Sequence, residues 1–438
     1  MKLENILHKI AGWRLYLSPR NFFLLLCAIV GLLAGLASVA LKLTTHYLEV
    51  FLHVFEPKAN FLLLFFPVIG IVLATAYTQI FQNGKLGRGI SNVVDNIYKK
   101  SSFMEKDKMY SHLITSSLTI GFGGSMGLEA PIVVTGSALG SNVARFYNLD
   151  YKDRTLLLAS GAAAGISAIF GAPIAGVLFA IEVLLGEFST VNFVPLLISS
   201  AIASVVAQVT PGEHGQIFYI FTQGWDVRAV PFYILLSIFT GFYSIYIMKG
   251  IAYSEGLLKR LTKPYPKAVV GGIILGLLVL LLPPLYGEGY RTVQMLLNTE
   301  YNRIFEGSLL FRFHDNVFAL MLFTIAILLV KVVASQLTIS SGGNGGFFAP
   351  SLFMGAMMGF FFIYMLKLAG VSFLFEPNFI AVAMAGVMAG VMHTPLTAIF
   401  LIAEVTGGYH LLVPLMLVSS LSFLISKYFN PHSIYAMH

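Results

Sequence analysis

One carboxylate lies inside a glycine-rich stretch of an otherwise apolar sequence. Residues 121–140 read GFGGSMGLEAPIVVTGSALG, and Glu129 lies two residues before Pro131. Proline is common at the first position of a helix because the N–H it lacks would have no partner there, so we predict a helix that begins at Pro131. Its free N–H groups and the positive end of its dipole would lie at residues 127–130. This is an anion site, and Glu129 already reaches into it.

Two other turns with glycine precede apolar helical patterns. GRGIS occupies residues 87–91 and GFFAP occupies residues 346–350. The first could equally be an ordinary interhelical loop. If both turns open helices, three N-termini could converge on one ion, since each supplies about half a positive charge and fixed N–H donors. Such partial charges bind an anion weakly enough to release it, which suits transport.

Glu129 itself has two interpretations. An ionised carboxylate would occupy the N–H groups that an anion needs, and a protonated one would lose that attraction and move away. One residue would then be a gate and a proton acceptor, as acids inside a membrane often are. The alternative is a glutamate that caps its own helix and has only a local role. We favour the gate because a glycine turn and a broken apolar segment accompany the acid.

Composition places these turns in a membrane. The 438 residues are 57% hydrophobic and 11% charged, whereas about a quarter of the residues in a soluble protein are charged. Apolar runs long enough to cross a bilayer recur along the whole chain. We therefore predict an all-α, polytopic membrane protein with apolar segments at residues 22–43, 61–81, 156–185, 193–209, 230–248, 268–282, 317–336, 347–368 and 411–429, and we expect the last pair of helices at residues 380–405 and 411–429.

The distribution of charge predicts orientation rather than a nucleic-acid partner. The net charge of +7 is explained by basic cytoplasmic loops, such as residues 249–267, under the positive-inside rule. Basic residues before the first apolar run put the N-terminus in the cytoplasm, which suggests a multi-pass protein of the plasma membrane. Apolar positions at helical spacing predict that residues 1–20 form a helix on the membrane surface.

An internal repeat predicts the architecture. Glu129-Ala130-Pro131 is followed by glycines at the same offsets as Phe348-Ala349-Pro350, and Pro173 precedes Glu182 as Pro395 precedes Glu404. We predict a first membrane repeat at residues 21–215 and a second, with a short tail, at residues 216–438. Duplicated halves with broken helices point to a substrate site near the midplane.

Other polar residues carry weaker predictions. Glu182 and Glu404 occupy equivalent places, and we expect them to anchor helix ends rather than carry protons. Lys331 either raises the positive potential along an anion path or extends its amine toward the membrane surface. The histidines lack ligand spacing, and no nucleophile–base pair or phosphate loop is present. We expect no metal, no cofactor and no enzymatic activity.

These segments together resemble the CLC family of chloride channels and chloride/proton antiporters. GSMGLEAP is similar to the family's GREGP signature, GGFFAP to GxFxP and GRGIS to GSGIP, and residues 161–182 and 394–404 also match. The resemblance implies an inverted repeat of tilted and broken helices, a homodimer with one pore per subunit, and bound chloride as the substrate. It makes Glu129 the external gating glutamate and Tyr435 a hydroxyl contact of the central anion. The implied anion-binding residues are Gly87, Arg88, Gly89, Ile90, Gly127, Leu128, Ala130, Gly346, Phe347, Phe348, Ala349 and Tyr435.

The chain departs from the family pattern at several positions. Arg88 replaces a serine whose hydroxyl contacts the anion, and we expect the arginine to turn away because a fixed charge would trap the ion. Val183 stands where antiporters often carry an internal proton-transfer glutamate, although some members couple without it. Leu128 and Ala130 replace arginine and glycine. A cytosolic CBS pair is not expected in this prokaryotic-type chain, nor is nucleotide regulation.

The sequence leaves four functions to compare. The first is a chloride/proton antiporter gated by Glu129, and the second is a passive anion channel of the same fold, which Val183 allows. A preference for fluoride or nitrate stays open because of Arg88. A cation or organic-solute carrier, which would line its site with acids, is disfavoured because the spans contain few acids beyond Glu129, Glu182 and Glu404.

Overall fold

Helices make up almost all of the computed structural model, which describes residues 16–53, 64–87, 89–186, 190–210, 222–256 and 258–435. The predicted all-helical class is confirmed within these ranges. Residues 1–15 of the expected surface helix, the Arg88 side chain, and the expected boundary between the repeats at residues 215–216 lie outside them. In the first half the helices are α1 (Pro19–His53), α2 (Phe66–Phe81), α3 (Gly89–Lys99), α4 (Ser111–Gly121), α5 (Glu129–Phe146), α6 (Tyr151–Phe170), α7 (Pro173–Phe179) and α8 (Thr190–Val209).

The second half continues the helical order. Its helices are α9 (Val230–Ser254), α10 (Pro264–Leu281), α11 (Tyr290–Leu297), α12 (Val317–Ser340), α13 (Phe348–Leu368), α14 (Glu376–Met392), α15 (Pro395–Val405) and α16 (Leu412–Phe429). Helix α7 runs on as a π-helical turn, Ala180–Leu185, and short 3₁₀ turns occur at Lys106–Met109, Val227–Ala229, Pro283–Leu285, Tyr301–Phe305 and Phe311–Phe313. In the described ranges, seven helices are long and apolar enough to cross a membrane.

Two apolar runs that we predicted as continuous are broken. The run at residues 156–185 divides between α6 and α7, and residues 380–405 divide between α14 and α15. Gly171 and His393 end the first helix of each pair with left-handed φ angles of 67° and 59°, which stops the helical hydrogen bonding. Pro173 and Pro395 then open the second helix, where a missing N–H does no harm.

The predicted start of α5 is also wrong by two residues. Helix α5 begins at Glu129, so Pro131 is its third residue, and Pro350 is likewise the third residue of α13. Proline is tolerated throughout the first turn because none of the N–H groups there has an intrahelical acceptor. The expected open N–H groups therefore belong to the residues around Glu129 and Phe348.

Helices at matching places in the two halves pack in the same way. Helix α5 packs on α6 as α13 packs on α14, and α6 packs on α8 as α14 packs on α16. Helix α1 contacts α6 and α8, as α9 contacts α14 and α16. The halves meet where α2 packs on α10 and α7 on α15. This pairwise correspondence is the expected arrangement of duplicated halves with broken helices.

Glycines let the helix pairs within each half approach closely. A Cβ atom on Gly136 would lie 2.1 Å from the carbonyl oxygen of Gly161, and one on Gly355 would lie 2.5 Å from the Cα atom of Met384. Each glycine lies five residues after the proline near its helix start. Small residues at such contacts allow close helix packing in a membrane, so the repeated Pro/Gly pattern specifies equivalent interfaces.

Two glutamates join the halves by capping each other's helices. Glu404 accepts hydrogen bonds from the N–H groups of Ile174 and Ala175 at 3.0 and 2.9 Å. Glu182 accepts them from Leu396 and Thr397 at 3.0 and 2.8 Å, and from the Thr397 hydroxyl at 2.6 Å. These bonds satisfy N–H groups at the starts of α7 and α15 that have no partner within their helices. The prediction that both acids anchor helix ends is confirmed.

Candidate functional site

The glycine turns of the two halves pair with each other at the centre of the protein. The Gly127 N–H donates to the Gly346 carbonyl at 3.0 Å, and the Gly346 N–H donates to the Gly127 carbonyl at 2.9 Å. Together they form an isolated antiparallel bridge. The starts of α5 and α13 are therefore fixed side by side, as expected if both contribute to one site.

A threonine from the opposite half holds each turn in place. The Ser125 N–H donates to the Thr338 hydroxyl at 3.2 Å, and the Asn344 N–H donates to the Thr119 hydroxyl at 3.0 Å. Ser125 and Asn344 are separated by the same number of residues as Gly127 and Gly346, and so are Thr119 and Thr338. All four partners are buried, so the site is built on a rigid, hydrogen-bonded framework.

The Glu129 carboxylate bridges the two halves. Glu129 is 0% exposed, its Oε1 atom accepts a hydrogen bond from the Tyr290 hydroxyl at 2.6 Å, and its Oε2 atom accepts one from the Ala349 N–H at 3.3 Å. Ala349 is the second residue of α13. A buried carboxylate requires such partners because its desolvation is costly. Glu129 thus occupies a donor of the other half's helix, as the gate hypothesis expects, rather than only capping its own helix.

Gly127 leaves no space beside this carboxylate. A Cβ atom there would lie 2.1 Å from Glu129 Oε2 and 2.6 Å from the Ala349 Cβ atom. Any larger residue would displace the carboxylate or separate the two helix starts. The sequence predicted Gly127 as an anion-binding residue, and the geometry places its backbone directly against the acid.

A cavity of about 620 Å³ is lined by residues from all three predicted helix starts, and we call it the Tyr435 cavity. A Cβ atom on Gly89 would lie 3.6 Å from the Ala130 Cβ atom, and one on Gly346 would lie 2.5 Å from it. Residues at or next to the starts of α3, α5 and α13 therefore lie together, as the convergence of three helix N-termini requires. Predicted site residues that line this cavity are Gly87, Gly89, Ile90, Ala130, Gly346, Phe347 and Tyr435.

Other predicted site residues lie behind the wall of this cavity. Leu128, Phe348 and Ala349 are buried and do not line it. The Phe348 ring packs against the rings of Phe170 and Phe179, with centroids 5.1 and 6.3 Å away. These rings make the back of the site apolar, which excludes water and strengthens the backbone dipoles in front of it.

The Tyr435 hydroxyl reaches the same region from the C-terminal tail. It donates to the Met392 sulfur at 3.4 Å, and the Ile434 N–H donates to the Val391 carbonyl at 3.4 Å. A thioether is a weak acceptor, so little holds the hydroxyl in this orientation. The position fits the predicted contact with a central anion, and that contact stays a prediction.

A second cavity, of about 420 Å³, lies near Glu288, and we call it the Glu288 cavity. Val279 and Pro283 at the end of α10 line it, whereas Pro264 and Lys267 at the start of α10 line the Tyr435 cavity. Helix α10 has 18 residues and so is about 27 Å long at 1.5 Å per residue. The two cavities therefore lie toward opposite ends of α10, and the turn that carries Glu129 lies between them.

Sequence reasoning missed two residues at this site. Glu288 accepts a hydrogen bond from the Leu128 N–H at 2.9 Å, and Tyr290 donates to Glu129. Both belong to GEGY at residues 287–290, a polar stretch to which we assigned no function. The adjoining glycines, Gly287 and Gly289, have positive φ angles of 57° and 86°. A glycine turn with an acid, next to an apolar segment, was the signal available there.

Lys331 fixes this loop to the first half. Its amine donates to the Ser125 hydroxyl at 2.9 Å and to the carbonyls of Gly287 and Leu285 at 3.2 and 3.4 Å. The side chain is 0% exposed and lies over the Phe353 ring. Extension of the amine to the membrane surface is therefore wrong, and a contribution to positive potential stays open.

The chain is similar to known proteins in both sequence and fold. A family model described as voltage gated chloride channel matches residues 70–427. The H(+)/Cl(-) exchange transporter ClcA of Vibrio campbellii is 26% identical over 446 aligned positions, which cover 96% of this chain and 89% of that protein.

In the described part of the chain, no group of three or more His, Cys, Asp or Glu residues could hold a metal ion.

Solved structures share the fold. A slow cyanobacterial Cl-/H+ antiporter superposes with a TM-score of 0.81 at 21% identity, over 96% of this chain and 97% of that one. A CLC-type fluoride/proton antiporter superposes with a TM-score of 0.76 at 25% identity, over 94% of this chain and 96% of that one. The similarity extends over nearly the whole length of each protein.

Proposed function

Because the chain belongs to the voltage gated chloride channel family, we propose that it exchanges chloride for protons across a lipid bilayer, with Glu129 as gate and proton acceptor. The predicted family and its fold of broken, inverted-repeat helices are confirmed. The chain is accordingly a multi-pass membrane transport protein and not an enzyme.

The observation that carries the proposal is the position of the Glu129 carboxylate. It is fully buried between the two cavities and accepts the Ala349 N–H at the start of α13. An anion moving between the cavities would need the same helix end. Ionised Glu129 competes with the anion for this donor, and protonated Glu129 gives it up. One acid would thereby link the movement of a proton to that of an anion.

Backbone groups around the Tyr435 cavity support chloride as the substrate. Gly89, Ala130 and Gly346, at or next to the starts of α3, α5 and α13, line one space, and the Tyr435 hydroxyl adds a neutral donor there. Partial charges suit a small anion that must bind and then leave. We propose that the residues from 87 to 90, 127 to 130 and 346 to 349, with Tyr435, form the anion path.

Two features favour testing a passive channel and a transported anion other than chloride. Val183 supplies no acid where some antiporters have one, and a solved structure similar to this chain is titled as a fluoride/proton antiporter. Coupled exchange is favoured because the relative that aligns over nearly the whole chain is named as an H(+)/Cl(-) exchange transporter. Fluoride and nitrate belong in the same assay as chloride.

Orientation and assembly are part of the proposal. Lys259, before α10, and Lys267, in the first turn of α10, line the Tyr435 cavity, which favours the cytoplasm for that side. The Glu288 cavity would then face outward, and the N-terminus would be cytoplasmic in a plasma membrane. A homodimer with one transport site per subunit is proposed from the resemblance.

The reversal potential in a proton gradient tests the proposed exchange. We expect the full-length protein, reconstituted in vesicles at equal chloride concentration, to reverse at a potential displaced from zero by a tenfold proton gradient. A value that stays at the chloride equilibrium potential would establish a passive channel and refute exchange. Repeating the measurement with fluoride and nitrate identifies the preferred anion.

A further inference from the structure

The GEGY loop holds both ends of the Glu129 site. Its Glu288 carboxylate accepts the Leu128 N–H at 2.9 Å, and its Tyr290 hydroxyl donates to Glu129 at 2.6 Å. Leu128 is the residue before α5, so its N–H is one of the donors that an anion at this helix end would use. Two carboxylates, from different halves of the protein, therefore occupy the N–H groups at the starts of α5 and α13.

The charges around Glu288 make a shared proton favourable. Glu288 interacts electrostatically with Glu129 and with Glu49, and the opposing positive charges come from Lys42 and Lys331. Two carboxylates of like charge at a poorly solvated site hold one proton between them more readily than both remain ionised. Other titratable groups that line the cavity beside Glu288 are Tyr286, Tyr290, Arg291, Arg303 and Glu306.

Glu288 is also the acid that is open to water. It is half-buried and lines the Glu288 cavity, whereas Glu129 is fully buried and lines neither cavity. Of these two carboxyl groups, Glu288 is therefore the one that a proton from this cavity reaches first. Its contact with the N–H group of the residue directly before Glu129 brings the Glu288 carboxylate to the start of the helix that carries Glu129.

We propose that Glu288 is a second proton-carrying acid, which takes protons from the Glu288 cavity and passes them to Glu129. This inference rests on the proposed function. Protonated Glu288 gives up its proton as the O–H bond of Glu129 forms, and the resulting Glu288 carboxylate binds the Leu128 N–H. Glu288 is then recharged by a proton from water in the cavity. Glu129, now neutral, can leave the Ala349 N–H to an anion.

The test measures chloride and proton movement by full-length protein in vesicles, at a series of symmetric pH values. For Glu288→Gln we expect proton movement to fall at least tenfold and the pH profile of chloride efflux to flatten. Glu288→Asp keeps an acid but reaches the Leu128 N–H less well, so we expect a proton rate between wild type and Glu288→Gln. Glu306→Gln is the matched control, because it lines the same cavity but pairs with Arg303 at 2.7 Å, and we expect it to behave as wild type.

The outcomes separate this inference from the proposed function. Coupled exchange in the wild type with an unchanged rate and profile in Glu288→Gln would overturn the role of Glu288 alone. Equal losses in the Asp and Gln variants would assign Glu288 to packing and also overturn it. If Glu288→Gln does not elute as folded protein, Glu288→Ala takes its place, and a wild-type rate and profile in that variant decides against the inference.

A wild type that moves chloride without protons would refute exchange instead. In that case the pH profile of chloride efflux still decides the role of Glu288. A profile shifted in Glu288→Gln would support proton sharing with the gate, and identical profiles would overturn it. Adding Glu288→Gln to Glu129→Gln should change nothing further, since the acid that receives the proton is already absent.

Discussion

At the scale of single residues, the site depends on the hydrogen bonds that stabilise a buried carboxylate in place of water. Burying an ionised carboxylate is unfavourable unless hydrogen bonds replace its hydration, and Glu129 has two, from Tyr290 and Ala349. Protonation removes the charge that these donors stabilise. The contacts that hold the ionised Glu129 carboxylate in place therefore weaken when it takes up a proton.

Removing the Tyr290 hydroxyl should make Glu129 easier to displace. A hydrogen bond to a charged group contributes about 1.5–3 kcal/mol, so we expect Tyr290→Phe to bind chloride about tenfold or more tightly, as Glu129 competes less well. Isothermal titration calorimetry of the detergent-purified protein measures this. Tyr246→Phe is the control, because its hydroxyl donates to the Leu329 carbonyl at 2.8 Å, away from the site. Unchanged or weaker chloride binding in Tyr290→Phe would contradict the competition.

The sequence predicted one side of this site and missed the other. Glu129 was recognisable because an acid, a glycine turn and a proline stood together in an apolar segment. Glu288 and Tyr290 were not, because they lie about 160 residues away and no periodicity relates them to Glu129. Only the packing of the second half against the first brings these residues together.

At the scale of helices, breaks in the apolar segments create the N–H donors that the proposed function assigns to anion transport. Each break creates a helix start with free N–H groups, and at some starts a glutamate carboxylate accepts hydrogen bonds from these groups. Glu404 and Glu182 fill the starts of α7 and α15 with two or more bonds each. Glu129 fills the start of α13 with one longer bond of 3.3 Å. The first kind of start is structural, and the second is the one that Glu129 would vacate under the proposed function.

Replacing a structural cap should destabilise the fold without changing the transport mechanism. A glutamine at position 404 offers one acceptor to the N–H groups of Ile174 and Ala175, so we expect Glu404→Gln to lower the free energy of unfolding by about 1–3 kcal/mol. Glu182→Gln should cost a similar amount, because its contacts are equivalent. Thermal unfolding in detergent, compared with Asp95→Asn at an exposed ion pair, measures the difference. Equal stability of Glu404→Gln and Asp95→Asn would argue against the caps.

The repeat in the sequence predicted which helix starts correspond, but hydropathy did not reveal every break. The Pro/Gly offsets gave the equivalence of α5 and α13 and of their close helix contacts. Residues 156–185 and 380–405 looked continuous because Gly171 and His393 interrupt them without interrupting their apolar character. What ends each helix is a left-handed φ angle, and hydrophobicity carries no information about backbone angles.

At the scale of the whole molecule, two cavities approach one acid from opposite ends of α10. Residues at or next to the helix starts line the Tyr435 cavity, and several charged side chains line the Glu288 cavity. The bridge between Gly127 and Gly346 ties the halves together where the cavities come closest to Glu129. Under the proposed function, an anion that moves between the cavities and a proton that reaches Glu129 from the Glu288 cavity would therefore share the Glu288 side of the path and meet at Glu129.

The most direct test of this account compares wild type with Glu129→Gln in sealed vesicles, with chloride and proton movement recorded together. Glutamine keeps the size of the side chain but cannot carry a proton or compete as a carboxylate. We expect proton movement to stop while chloride efflux continues and becomes independent of pH between about 4.5 and 7.5. Coupled proton movement that persists in Glu129→Gln would contradict the central claim.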